Sequence, residues 1–113
     1  MNSEIKTILN DLKVDGIDIP VAHLRYKGDK KTYVTWQIIS EQPSLMANDE
    51  YLYSVVSIYV HIFSDKNYTN LLEEVKKRFI ANDWVWSETS TEMYEDDTKL
   101  YHRVITFEKE KEF

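Results

Sequence analysis

Apolar positions along this chain switch repeatedly between a helical and a strand period. Ile5, Ile8, Leu9 and Leu12 recur at three- and four-residue steps, which predicts an amphipathic helix over 2–13. Asn2 or Ser3 can cap it, Glu4 suits the positive end of its dipole, and Gly16 sits where a C-terminal glycine belongs. Pro20 stops any continuation. Residues 21–26 (VAHLRY) and 32–39 (TYVTWQII) read as strands joined by the polar turn KGDKK, hence as a hairpin. The segment SEQPSLMANDE at 40–50 loses the period and contains Pro43, so it reads as a long loop.

The strongest strand signal is YLYSVVSIYVHIF at 51–63. One face carries Leu52, Ser54, Val56, Ile58, Val60 and Ile62; the other carries Tyr51, Tyr53, Val55, Ser57, Tyr59, His61 and Phe63. Both faces are largely apolar, unlike a strand with one wet side. A second helix follows at 67–81, with Tyr68, Leu71, Leu72, Val75 and Phe79 on one side and the pairs Glu73–Lys77 and Glu74–Arg78 on the other. Residues 83–94 begin as a strand with Trp84 and Trp86 on a shared face, EDDTK forms an acidic turn, and 99–108 is a last strand. The charged tail 109–113 is expected to fray. The order α-β-β-β-α-β-β predicts an α+β two-layer fold, with a mainly antiparallel or mixed sheet of about five strands and both helices on one face. No linker or repeat divides 1–113, so a single domain is expected.

Composition narrows the class. With no cysteine, disulfides and Cys-based metal centres are excluded. No run reaches the ~18 apolar residues of a membrane helix, and the mixed-charge start does not read as a signal peptide. A net charge of −6 argues against sequence-specific or general nucleic-acid binding. Fifteen aromatic residues (eight Tyr, three Trp, four Phe) argue for a packed domain and leave aromatic surface to be accounted for.

Catalytic machinery is hard to find. His23, His61 and His102 fall in separate predicted strands, and nothing in their spacing requires them to converge on a metal. The carboxylates Glu92, Glu95, Asp96 and Asp97 lack the glycine of a calcium loop and read as a solvated turn. There is no nucleophile elbow, and two glycines are too few for a phosphate cradle. The basic stretches KGDKK and KKR (76–78) read as a turn and a solvated helix face. The expectation is a non-enzyme with no cofactor and no metal.

What stands out is surface. Two helices on one side cannot shield both faces of a sheet. Tyr51, Tyr53, Tyr59, Phe63 and one or more of Tyr33, Trp36, Trp84, Trp86 and Tyr101 then lie on the uncovered face. An apolar face of this kind points to an interface between copies.

The strings IPVAHLRYKGDKKTYVTWQIISEQP, YVHIFSDKNYTNLLEEVKKRF and MYEDDTKLYHRVITFE, in this order of elements, resemble the small tail-terminator (tail-to-head joining) proteins of long-tailed phages and prophages of Gram-positive bacteria. The resemblance runs over nearly the whole chain and is one of pattern, not of a catalytic signature. It implies a structural virion subunit, made in the host cytoplasm, that forms a ring, commonly a hexamer. The ring would cap the tail tube and meet the major tail protein on one side and head-closure or connector proteins on the other. A ring needs a heterologous contact. The expected contact residues are Trp36, Tyr51, Tyr53 and Tyr59 on the sheet, with the 40–50 loop as axial contact. Lys30 and Lys31 would meet a neighbour's Glu95, Asp96 and Asp97. The alternatives are another neck protein, such as a head-closure protein, or a small binding module that holds a peptide or ligand on its aromatic face.

Overall fold

The structure is a computed structural model that describes the backbone of residues 2–47 and 50–112, and the side chains of these other than 44–52 and 112. Helix α1 (Asn2–Ile8) leads into a small hairpin, β1 (Lys13–Val14) and β2 (Ile17–Asp18). Strands β3 (Val21–His23), β4 (Tyr33–Ala47) and β5 (Glu50–Ser64) follow, then α2 (Thr69–Ala81), β6 (Val85–Thr89), β7 (Met93–Glu95) and β8 (Leu100–Glu112). The main sheet runs β3-β4-β5-β8-β6, with β7 also on β8, and β1-β2 is a separate pair. The α+β class holds; the strand count exceeds the expected five because no strands are expected at β1 and β2 and because 83–94 splits into β6 and β7.

The helical stripe at 2–13 is cut short. The backbone leaves the helix after Ile8, and Asp11 adopts φ 52°, yet Leu9 and Leu12 still reach the core. Gly16 is not a helix terminator. With Asp15 (φ 54°) it forms the two-residue turn of the β1–β2 hairpin, where both central residues need positive φ and Asp-Gly is a preferred pair.

The expected antiparallel hairpin at 21–39 is instead a parallel pair. Val21 lies opposite Val34 and His23 opposite Trp36. Residues 24–32 therefore form a crossover, and Tyr26 folds back over Gly28, where a Cβ would collide with the Tyr26 ring and hydroxyl. The expected loop at 40–50 is also replaced: β4 continues to Ala47 and β5 begins at Glu50, with residues 48–49 outside the described residues. Pro43 is tolerated because β3 covers β4 only as far as Trp36. Beyond it β4 is an edge strand, and the register breaks between Pro43 and Leu45. The charged tail is paired strand as far as Glu112, opposite Tyr53.

The core lies between the helices and one face of the sheet. Ile5, Ile8 and Leu9 and, from α2, Leu71, Leu72, Val75 and Phe79 meet Val34, Trp36, Val56, Ile58, Val60, Ile62, Ile105 and Phe107. Phe79 stacks on Phe107 at 4.5 Å and meets Trp84 edge-on at 5.8 Å. Arg78 joins the two helices. Its Nε donates to Glu74 at 2.9 Å, while Nη1 donates to the carbonyls of Ile8 (3.1 Å) and Asn10 (2.9 Å), satisfying backbone acceptors that α1 leaves open at its end. Of the expected α2 pairs, Glu74–Arg78 forms; Glu73 pairs with Lys76.

Candidate functional site

The face of the sheet away from the helices is built from alternate residues of β4, β5 and β8, and register lays them out as a grid. Tyr33, Phe63 and His102 form one row, with Met93 of β7 beyond them. Thr35, His61 and Val104 form the next row, and Gln37, Tyr59 and Thr106 the third. Because the strand period is two, every residue of this set is excluded from the helix-covered core by the same alternation that puts Val34, Ile62, Trp36 and Val60 into it.

Aromatic rings run across the grid. Tyr26 packs on Tyr33 (4.5 Å), Tyr33 on Phe63 (4.7 Å) and Phe63 on His102 (4.1 Å), and Tyr59 meets His61 edge-on at 5.9 Å. At its centre two histidines meet: His61 Nδ1 lies 2.9 Å from His102 Nε2. His61 Nε2 lies 3.1 Å from Gln37 Oε1, and His102 Nδ1 lies 3.6 Å from a Glu95 carboxylate oxygen. As the Gln37 amide is oriented, its oxygen accepts, so His61 carries its proton on Nε2 and accepts at Nδ1 from His102 Nε2–H. Burial is the main cause that pushes both imidazoles below their ordinary value of 6.5; the neighbouring His102 adds to this for His61, whereas Glu95 opposes it for His102. In that tautomer neutral His102 turns an unprotonated Nδ1 towards Glu95, and only protonated His102 donates to both Glu95 and His61. The ring nitrogens are engaged with one another, and among the described residues there is no group of three or more His, Asp or Glu side chains placed to hold a metal.

The expected site residues separate. Tyr59 lies on this face and is 36% exposed; Tyr53 is half-buried on its continuation, and the side chain of Tyr51 is outside the described residues. Trp36 does not belong to the face. It sits in the helix-side core at 1% exposure, stacked against His23 at 4.2 Å, because alternation along β4 turns it towards Val60 and Ile105. Trp84 is likewise buried, and Trp86 lies at the sheet edge on the helix side, with Lys76 Nζ 3.8 Å above its ring. Lys30 and Lys31 are exposed in the crossover before Tyr33; Glu95, Asp96 and Asp97 lie at the β7–β8 turn. Both groups lie at the end of the sheet marked by the Tyr33–Phe63–His102 row. The pairing of His61 with His102 was not anticipated. Alternation alone puts His61 with Tyr59 and Phe63, but the encounter with His102 depends on the β5–β8 register, which strand periods do not reveal.

No helix among the described residues is long and apolar enough to cross a membrane. No curated protein gave a match to this sequence. The sequence profile of the family described as "Protein of unknown function (DUF806)" matches residues 4–112, so that all but the first two residues of α1, the whole sheet and α2 fall within it, and the chain belongs to this family.

Proposed function

We propose that this chain is a structural subunit of a long-tailed phage virion, one that closes into a ring, most simply a hexamer, on the finished tail tube and joins it to the head connector. The observation that carries this reading is the one-sided architecture: both helices cover the same face of the sheet, and the opposite face presents Tyr33, Tyr59, Phe63 and the His61–His102 pair. Aromatic groups with polar tips are the composition of protein interfaces. The resemblance of three long strings to tail-terminator proteins supplies the assembly in which such a subunit would serve. The net charge of −6 suits a ring through which DNA must pass without sticking.

The test is electron microscopy of particles made without this protein. Overlong tails and heads without tails are expected. Tails of normal length attached to filled heads would refute the reading. Tails of normal length lying free beside filled heads would assign the chain to joining alone, the role of a head-closure protein.

A further inference from the structure

We infer that neighbouring copies join edge to edge, the outer edge of β4 in one copy adding to the outer edge of β6 in the next, so that their sheets run on through the contact. This rests on the ring reading and names the surface by which the ring closes.

Three independent observations converge on it. First, the sheet has two open edges among the described residues. β3 covers β4 only to Trp36, and β6 ends the sheet on the other side. Val34 N–H and Trp36 C=O are taken by Pro20 and Leu24 on the β3 side, so alternation turns the backbone groups of Ile38 outward, past the end of β3. An open edge with apolar side chains is a template for another strand, and natural proteins leave one only where it is used or guarded.

Second, both edges are apolar at matching places. Ile38 is opposite Ile58, Ile58 opposite Phe107, and Phe107 opposite Trp86. Ile38 (40% exposed) and Trp86 (44%) are thus the two ends of one row, both on the helix side. The next row runs Ser40, Ser57, Glu108 and Val85, with Val85 64% exposed. Repeating the strand spacing of about 4.8 Å once more sets Ile38 of one copy beside Trp86 of the next. Charge fits as well: Glu41, which accepts from Ser54 Oγ, stands beyond the Ile38 edge on the helix side, and Lys76, also paired with Glu73, stands on α2 above the Trp86 edge.

Third, the directions agree. β4, β5, β8 and β6 alternate, each antiparallel to the one before. A neighbour held in the same orientation therefore offers β6 antiparallel to β4, and the alternation passes through the junction unbroken. The contact joins two different edges, so it is heterologous, and the rotation between copies decides closure into a ring.

The chain has no cysteine, which makes the test clean. Ile38→Cys and Trp86→Cys are made singly and together, and Ser40→Cys with Val85→Cys provides a second pair in the next row. Each is assembled at high concentration or on isolated tail tubes, with light scattering as an independent measure of assembly, and then treated with a mild oxidant. Facing positions on adjacent strands are close enough for a disulfide to form. A double variant should give a ladder on a non-reducing gel that ends at the ring number. A mixture of the two single variants should give mixed dimers, and neither single variant alone should cross-link. Assembly without cross-linking at either pair would overturn the edge contact while leaving the ring in place. Cross-linking of a single variant with itself would show a two-fold contact and overturn it also. Failure of wild-type protein to assemble even on tubes would overturn the ring reading and this inference together.

Discussion

The two faces of the sheet are made from the same strands and differ by one residue of phase, yet they do different work. On the helix side Val34, Trp36, Val60, Ile62, Ile105 and Phe107 are sealed by Phe79 and Val75. On the other side Tyr33, Phe63, Gln37, His61 and His102 hold one another through rings and hydrogen bonds, with no helix over them. The first face holds the molecule together through area removed from water; the second is ordered by lateral contacts and keeps that area available. The lesson is that apolarity on both faces of β5 was a signal of two kinds of packing, one beneath the helices and one among neighbours on the same face.

The largest effect separating the faces should come from Trp36→Ala, which opens a cavity in the helix-side core and is expected to cost about 3–5 kcal/mol in chemical denaturation. A loss under about 1 kcal/mol would show that Trp36 is not the core residue its 1% exposure implies. Arg78→Ala comes next. It strips two backbone carbonyls of α1's end of their donor and releases Glu74, for an expected loss of ~2 kcal/mol, with Arg78→Lys recovering only part of it.

Acid probes the open face alone. His61 and His102 have folded-state values lowered chiefly by burial, so the unfolded chain binds protons more readily. Their contribution to stability is complete above about pH 6.5 and declines as the pH falls from there towards the lowered folded values. Thermal melts from pH 8 to 5 should show this decline, and Glu95→Gln should steepen it, because Glu95 is what holds His102 up. A His61→Gln, His102→Gln variant should lose this part of the slope; an unchanged slope would remove the pair from the account.

Tyr59→Ser should matter least to the isolated fold, at ~0.5–1 kcal/mol, yet should weaken co-sedimentation with tail tubes, the partner left to the open face when copies join by their edges. Reversal of Lys30 and Lys31 to Glu should leave unfolding unchanged within ~0.5 kcal/mol; unchanged assembly would discard their pairing with a neighbour's Glu95–Asp97 turn.

Much of the covered layer was legible. The stripe of α2 and the alternation of β5 each follow one period without interruption, and both faces of β5 were assigned residue by residue. The remainder failed where local chemistry admits two readings. Asp15-Gly16 serves a tight hairpin as well as a helix end. A polar stretch with Pro43 reads as a loop unless one knows that the strand beside it stops at Trp36. VAHLRY and TYVTWQII can pair in either direction, and nothing within either segment selects the parallel one. Trp36 was placed by residue type, where phase along β4 decides. The His61–His102 contact joins strands through a register that no single segment encodes.

β8 is the partner of β5, β6 and β7, and it follows all three in the chain. During synthesis the ribosome delivers the middle of the sheet last, so β5 waits with a bare flank through the making of α2, β6 and β7. Folding must then close loops of some forty residues before the core rings can stack, which predicts slow maturation governed by contact order.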